Sequence, residues 1–114
     1  AYADWERAKS VPPAEVAKFA KRFRFKAFLL DTWGKDGKTL LDFTTPAEVA
    51  ELVEGLKRVY TTVAIGGSLR PEHVKQLKAA GPDYFAVRSS ACAGGKRDGV
   101  IDANRVKKWK EAIG

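Results

Sequence analysis

The feature that most constrains this chain is a regular exchange between two apolar patterns. Short continuous runs, "FKAFLLDT" (25–32), "TTVAIGG" (61–67) and "DYFAVR" (83–88), alternate with longer segments whose apolar residues recur every three or four positions. A short unbroken run suits a strand buried on both faces, whereas spacing of three and four marks one face of a helix. After "VPP", Val16, Phe19, Ala20 and Phe23 share such a face, expected to turn toward a core, and Pro13 suits a first helical turn. Thr45 is placed to cap the next helix, with Pro46 at its first position, Glu48 completing a capping box, and Val49, Leu52, Val53 and Leu56 as its stripe. Pro71 opens a third, carrying Val74 and Leu77, which Gly81 stops. Asp102 caps a fourth with Val106, Trp109 and Ile113 on one face. The opening "AYAD", with no initial methionine, reads as the tail of a strand already under way in a processed, trimmed or cloned fragment.

The order (β)αβαβαβα with short connections predicts an α/β fold with a parallel sheet. Its 114 residues suit one domain, 1–114, without an interior linker. Four such units are half of a (β/α)8 barrel, which needs about 250 residues; a small open doubly wound sheet is the competing architecture. Half a barrel has two raw sheet edges and an uncovered core, so it calls for the other half or a second copy to close it.

Composition narrows the functional classes. A single cysteine, Cys92, excludes an internal disulfide and fits a reducing cytosol. One histidine and one cysteine leave no zinc site of the usual kind. No apolar stretch approaches the roughly 18 residues of a membrane helix, and nothing resembles a signal peptide, so the expectation is a cytoplasmic protein. The net charge of +7, from 21 Lys and Arg against 14 Asp and Glu, points to anionic partners. The densest basic patch, "KRFRFK" (21–26), has the aromatic interleaving of single-strand binders. Because Phe19 and Phe23 fit a core-facing stripe, and nucleic acid would not explain the glycines at the strand ends, nucleic acid is not the expected partner.

In parallel α/β folds, chemistry gathers at the C-terminal strand ends. Those positions hold Asp4, then Asp31 with Lys35, then Gly66, Gly67 and Ser68, then Arg88 and the "SSACAGG" loop. A strand-end carboxylate can move protons, and a lysine beside it can pair with it, serve as an acid or bind phosphate. The bland alternative is a turn-capping carboxylate and a solvated lysine; Asp36 and Lys38 read as solvated. The loops "IGGSL" and "VRSSACAGGKRDG" expose backbone N–H groups to an anion, Ser68 adds a hydroxyl and Arg88 a bidentate fork. His73 reads as a surface helix residue rather than a base for Cys92, which reads as a packed thiol. Trp5, Trp33 and Trp109 read as core or rim packing.

"LLDTWGKDGKTLLDF" together with "IGGSL…EHVKQLKAAGPDYFAVRSSACAGGKRDGVID" resembles the C-terminal half of (5-formylfuran-3-yl)methyl phosphate synthases, from about Phe25 onward. The resemblance implies a (β/α)8 barrel lyase of methanofuran-type cofactor biosynthesis. Its substrate would be a phosphorylated triose: two glyceraldehyde 3-phosphates condense to 4-(hydroxymethyl)-2-furancarboxaldehyde phosphate, with no metal or organic cofactor. Asp31 would be the general acid/base. Lys35 would assist proton transfer or hold an oxyanion or phosphate. Gly66, Gly67, Ser68, Arg88, Gly94 and Gly95 fall in the loops that look like its phosphate clamp. The family's Schiff-base lysine belongs to the N-terminal half of the barrel, which nothing here matches. The chain would therefore work with that half, or as a homo-oligomer. The alternative is a non-catalytic phosphate-binding half-barrel that dimerises.

Overall fold

Three short parallel strands form the sheet of the computed structural model, which describes residues 1–114: β1 (Ala27–Leu30), β2 (Thr62–Ile65) and β3 (Tyr84–Phe85), in sequential order. The opening segment extends this order by a parallel bridge between Tyr2 and Asp31, with Ala3 N–H donating to the Asp31 carbonyl at 2.8 Å. The helices are α1 (Trp5–Ala8), α2 (Pro13–Arg22), α3 (Pro46–Lys57), α4 (Val74–Leu77) and α5 (Ala103–Ile113), with 3₁₀ turns between them. No helix is long and apolar enough to cross a membrane.

The register pairs Phe28 with Val63 and Leu30 with Ile65, and these four side chains are buried. They share one core with Ala17 and Ala20 of α2, Val49, Val53 and Leu56 of α3, Val74 and Leu77 of α4, and Trp109 of α5. The alternate positions Ala27, Leu29, Thr62 and Tyr84 are exposed. The helices that build the core, α2 to α5, therefore cover one face of the sheet, and the other is open. The expectation that "FKAFLLDT" is buried on both faces fails for this reason: strand side chains alternate, and only one side meets helices. Sequential strand order with one helical layer also departs from a doubly wound sheet, whose order reverses at a switch point.

The caps hold where side-chain chemistry specifies them. Thr45 Oγ1 accepts the Glu48 N–H at 3.2 Å, and Asp102 accepts the Arg105 N–H at 3.0 Å. The box at Thr45 is not closed as expected, because the Glu48 carboxylate accepts from the Thr45 hydroxyl rather than its N–H. Three expectations need correction. Phe19 and Phe23 face solvent and pack with Phe25, because the face of α2 against α3 is filled by Ala17 and Ala20. The run 83–88 is strand only at Tyr84–Phe85. The helix opened by Pro71 is a 3₁₀ turn, one α-turn and another 3₁₀ turn.

Candidate active site

At the strand ends the open face continues as a row: Asp31 after β1, Gly66 after β2 and Ala86 after β3. Gly66 N–H donates to the Leu30 carbonyl at 2.8 Å and Ala86 N–H to Ile65 at 2.7 Å, so the ladder persists to this level. A Cβ on Gly66 would lie 3.4 Å from Asp31 Oδ1 and 3.1 Å from the Ala86 carbonyl oxygen. The Asp31 carboxylate is thus half-exposed on the open side, with Oδ1 held by the Thr32 N–H at 2.8 Å.

Lys35 returns over this carboxylate. Its Nζ donates to the Thr32 carbonyl at 2.6 Å and the Thr32 hydroxyl at 3.3 Å, and stands 3.4 Å from Asp31 Oδ1. The nearest acceptor is therefore backbone, and the ion pair is the longer contact.

A cleft of about 860 Å³ opens beside this pair. Asp31, Lys35, Gly67, Ser68, Arg88 and Gly95 line it, so six of the eight singled-out positions come together; Gly66 lies just beneath and Gly94 does not line it. Sequence reading missed four lining cations, Arg70, Arg97, Arg105 and Lys108. With Lys35 and Arg88, the cleft has six basic side chains against the carboxylates of Asp31 and Glu72. Arg70 is engaged by Glu72 at 2.7 Å, but Arg88, Arg97, Arg105 and Lys108 form no ion pair within the chain. Arg97 stands in the glycine-rich loop whose anion-binding character was legible. Arg105 and Lys108 are three apart on α5, a spacing that puts both on one helix face.

The loop after β2 has a backbone suited to anions. Gly67 (φ +104°) and Ser68 (φ +52°) are both left-handed. The N–H groups of Gly67, Ser68 and Leu69 donate to no acceptor in the chain, and all three residues line the cleft. Successive free N–H groups in such a turn form a concavity for an oxyanion. Those of Arg88, Ser89 and Ser90, which follow the adjacent strand and also line the cleft, are likewise unpaired.

Asp4 is buried at the end of the opening strand. Oδ1 accepts the Trp33 N–H at 2.7 Å; Oδ2 accepts the Gly34 N–H at 2.9 Å and the Arg7 Nε–H. Burial pushes its pKa up, but the Gly34 and Trp33 N–H groups and Arg7 outweigh it, and the carboxyl ends below the usual range. Arg7 Nη1 reaches Asp36 Oδ2 at 2.8 Å, and the guanidinium lies 4.7 Å from the centre of the Phe43 ring. Asp36 is therefore ion-paired, not merely solvated as its loop position suggested; Lys38 stays exposed.

His73 is not a surface residue. It is buried, and Nδ1 accepts the Arg70 N–H at 3.0 Å, which closes the turn before α4. Burial and the Arg70 charge lower its pKa, against the weaker opposing effects of Glu72 and Asp42. Cys92 is a buried thiol. Trp109 is core, its Nε1–H donating to Ser90 Oγ at 3.1 Å, while Trp33 is exposed on the rim loop. No group of three or more His, Cys, Asp or Glu side chains forms a metal-holding cluster.

The profile of the family described as 4-HFC-P synthase matches residues 1–110. The chain belongs to that family. It is 41% identical over 111 residues to the (5-formylfuran-3-yl)methyl phosphate synthase of Methanocaldococcus jannaschii, covering 96% of this chain and 47% of that protein. The proteins of the same name from Methanopyrus kandleri and Methanothermobacter thermautotrophicus are 37% and 35% identical over 113 residues, covering 98% of this chain and 48% of each relative. The chain thus spans about half the length of the curated relatives it matches. Family likeness also extends through the first two dozen residues, which include Asp4 and Arg7, beyond the limit near Phe25 that the motifs suggested.

Proposed function

We propose that this chain is the C-terminal four βα units of a (β/α)8 barrel lyase that makes a phosphorylated furan aldehyde from two glyceraldehyde 3-phosphates, in methanofuran-type cofactor biosynthesis. Sequential parallel strands, one helical layer and an open apolar face support the barrel part of this reading. Counting atoms, two trioses give the product with loss of one phosphate and two waters. Such a condensation needs a group that exchanges protons with carbon and oxygen, and sites for phosphate. Asp31 is the proton-transferring carboxylate, with Lys35 steadying the charge that develops beside it. The N–H groups of Gly67, Ser68 and Leu69 hold one phosphate, and Arg88, lining the same cleft, balances its charge. Gly66 keeps the space over Asp31 clear, and Gly95 leaves the opposite loop open to the anion; Gly94 contributes to the shape of that loop. The amine that forms a Schiff base comes from the N-terminal half or a second copy, and the reaction runs without metal or organic cofactor in the cytoplasm.

One observation carries the proposal: a half-exposed carboxylate and a lysine 3.4 Å apart stand at the mouth of a cationic cleft, beside three unpaired N–H groups. In a turnover-competent protein containing this chain, Asp31→Asn and Lys35→Ala should each lower triose phosphate consumption by at least about 100-fold, the scale of general acid–base catalysis. Phosphate binding should persist. Retained turnover in both variants would falsify the assignment. Binding of triose phosphate without consumption by the unaltered protein would instead favour the non-catalytic reading.

A further inference from the structure

The loop that carries Lys35 is held from behind by residues that do not line the cleft. Asp4 bonds two successive N–H groups, of Trp33 and Gly34, and its second oxygen also takes the Arg7 Nε–H. Arg7 then spans to Asp36 at 2.8 Å, on the far side of Lys35 in sequence. The turn 33–36 is therefore gripped at both ends by one buried carboxylate and one guanidinium. Gly34 shows how close the fit is, since a Cβ there would overlap the Arg7 guanidinium. Phe43 backs the guanidinium from outside the loop.

We infer that Asp4 and Arg7 are positioning residues for Lys35, setting the turn so that its ammonium rests on Thr32 and faces Asp31. The physical reason lies in the reach of lysine. Its four-carbon stem has many rotamers, and an exposed lysine ordinarily spreads over them. Here the Nζ has three acceptors within 3.4 Å, and it keeps them only while the backbone of residues 32–35 stays in this turn. A buried carboxylate with three donors is a stiff anchor, because releasing any donor leaves an unsatisfied charge. The arrangement also gives the short α1 a purpose: its i, i+3 spacing puts Arg7 directly over Asp4. The importance of a fixed Lys35 rests on the proposed function, but the clamp itself does not.

The test reads the lysine without turnover. The intact chain is treated with limiting acetic anhydride, and acetylation of each lysine is followed by peptide mass spectrometry. Lys96, exposed on another loop, and Lys107, exposed on α5, are internal references. In the unaltered protein Lys35 should react more slowly than both. Asp4→Asn should raise the Lys35 rate by about three-fold or more, as expected for loss of one good hydrogen bond, with the references unchanged. Gly34→Ala should do the same by expelling the guanidinium. Asp36→Asn, at an exposed carboxylate, should act in the same direction by less. Should Asp4→Asn fail to fold, the other two variants decide. An unchanged Lys35 rate in Gly34→Ala and Asp36→Asn overturns the inference. So does a rise of Lys96 and Lys107 in step with Lys35, which marks general loosening. Loss of the triose phosphate reading would leave these rates untouched, so the two failures are distinguishable.

Discussion

The two faces of the sheet follow different rules, although they alternate along the same few residues. Phe28, Leu30, Val63 and Ile65 are sealed under helices, whereas Leu29, between two of them, and Tyr84 on β3 are 42% and 64% exposed. Continued to the strand ends, the open face is the one that presents Asp31, Gly66 and Ala86. One parity of each strand thus carries folding energy, and the other carries the site and a surface with nothing packed on it. Stability and chemistry can change separately here because a strand sends successive side chains to opposite sides.

The sharpest way to break this comparison is at Ile65. Ile65→Ala removes a fully buried side chain from the sealed face and should cost about 2–5 kcal/mol, read by urea unfolding. An equal loss in Leu29→Ala would show that the faces do not differ as described. A smaller effect is expected at Gly67, where φ is +104° and a Cβ would meet Thr32 Cγ2 at 3.0 Å and Leu40 Cβ at 3.1 Å. Gly67→Ala should destabilise by about 1–3 kcal/mol through backbone strain, and should weaken phosphate binding through the amides of residues 67–69. Unchanged amide shifts on titration with phosphate in the unaltered protein would remove that loop from the site.

His73 probes the sealed side by pH. Its folded pKa lies below the ordinary value near 6.5, so the unfolded chain takes up the proton first. The His73 contribution should therefore be complete above about pH 6.5 and be lost as pH drops below it. The carboxylates with lowered pKa, Asp4, Asp36, Glu72 and Asp83, favour the folded state until pH falls below about 4. Among the side chains the window between belongs to this one imidazole, while the Ala1 amine, also lowered by burial, acts from about pH 8 downward. His73→Asn, whose carbonyl can still accept the Arg70 N–H, should flatten urea midpoints between pH 6.5 and 4.5; an unaltered slope would exclude His73 as the source.

Some of this was legible in the sequence because the relevant physics is local. Caps at Thr45 and Asp102, the apolar stripe of α3 and the glycine loops need only neighbours along the chain. What escaped depends on distance in space. Nothing near Phe19 and Phe23 says that two alanines would take the inner face of α2. His73 looked exposed because its partner is a backbone N–H three residues back, not a helix face. Asp4 stood out as a strand-end carboxylate, but its partners Trp33 and Gly34 lie some thirty positions away, and Asp36 appeared solvated because Arg7 comes from before α2. Arg105 and Lys108 belong to the cleft only because α5 packs back beside the loop after β2.

The mildest substitution bears on the largest open matter, what lies against the uncovered face. Leu29→Ser removes an apolar side chain that is already 42% exposed, so the chain by itself should change by no more than about 0.5 kcal/mol in urea unfolding. If complementary βα units close over this face, the same leucine becomes core. The cost should then rise to about 1–3 kcal/mol, because a hydroxyl would be buried where an apolar side chain had packed. Measuring Leu29→Ser in the chain alone and in a protein that joins it to the N-terminal half of a family member therefore asks whether the odd positions of β1 are surface or barrel interior. Equal small costs in both would mean that the face stays open, and the barrel would have to be abandoned.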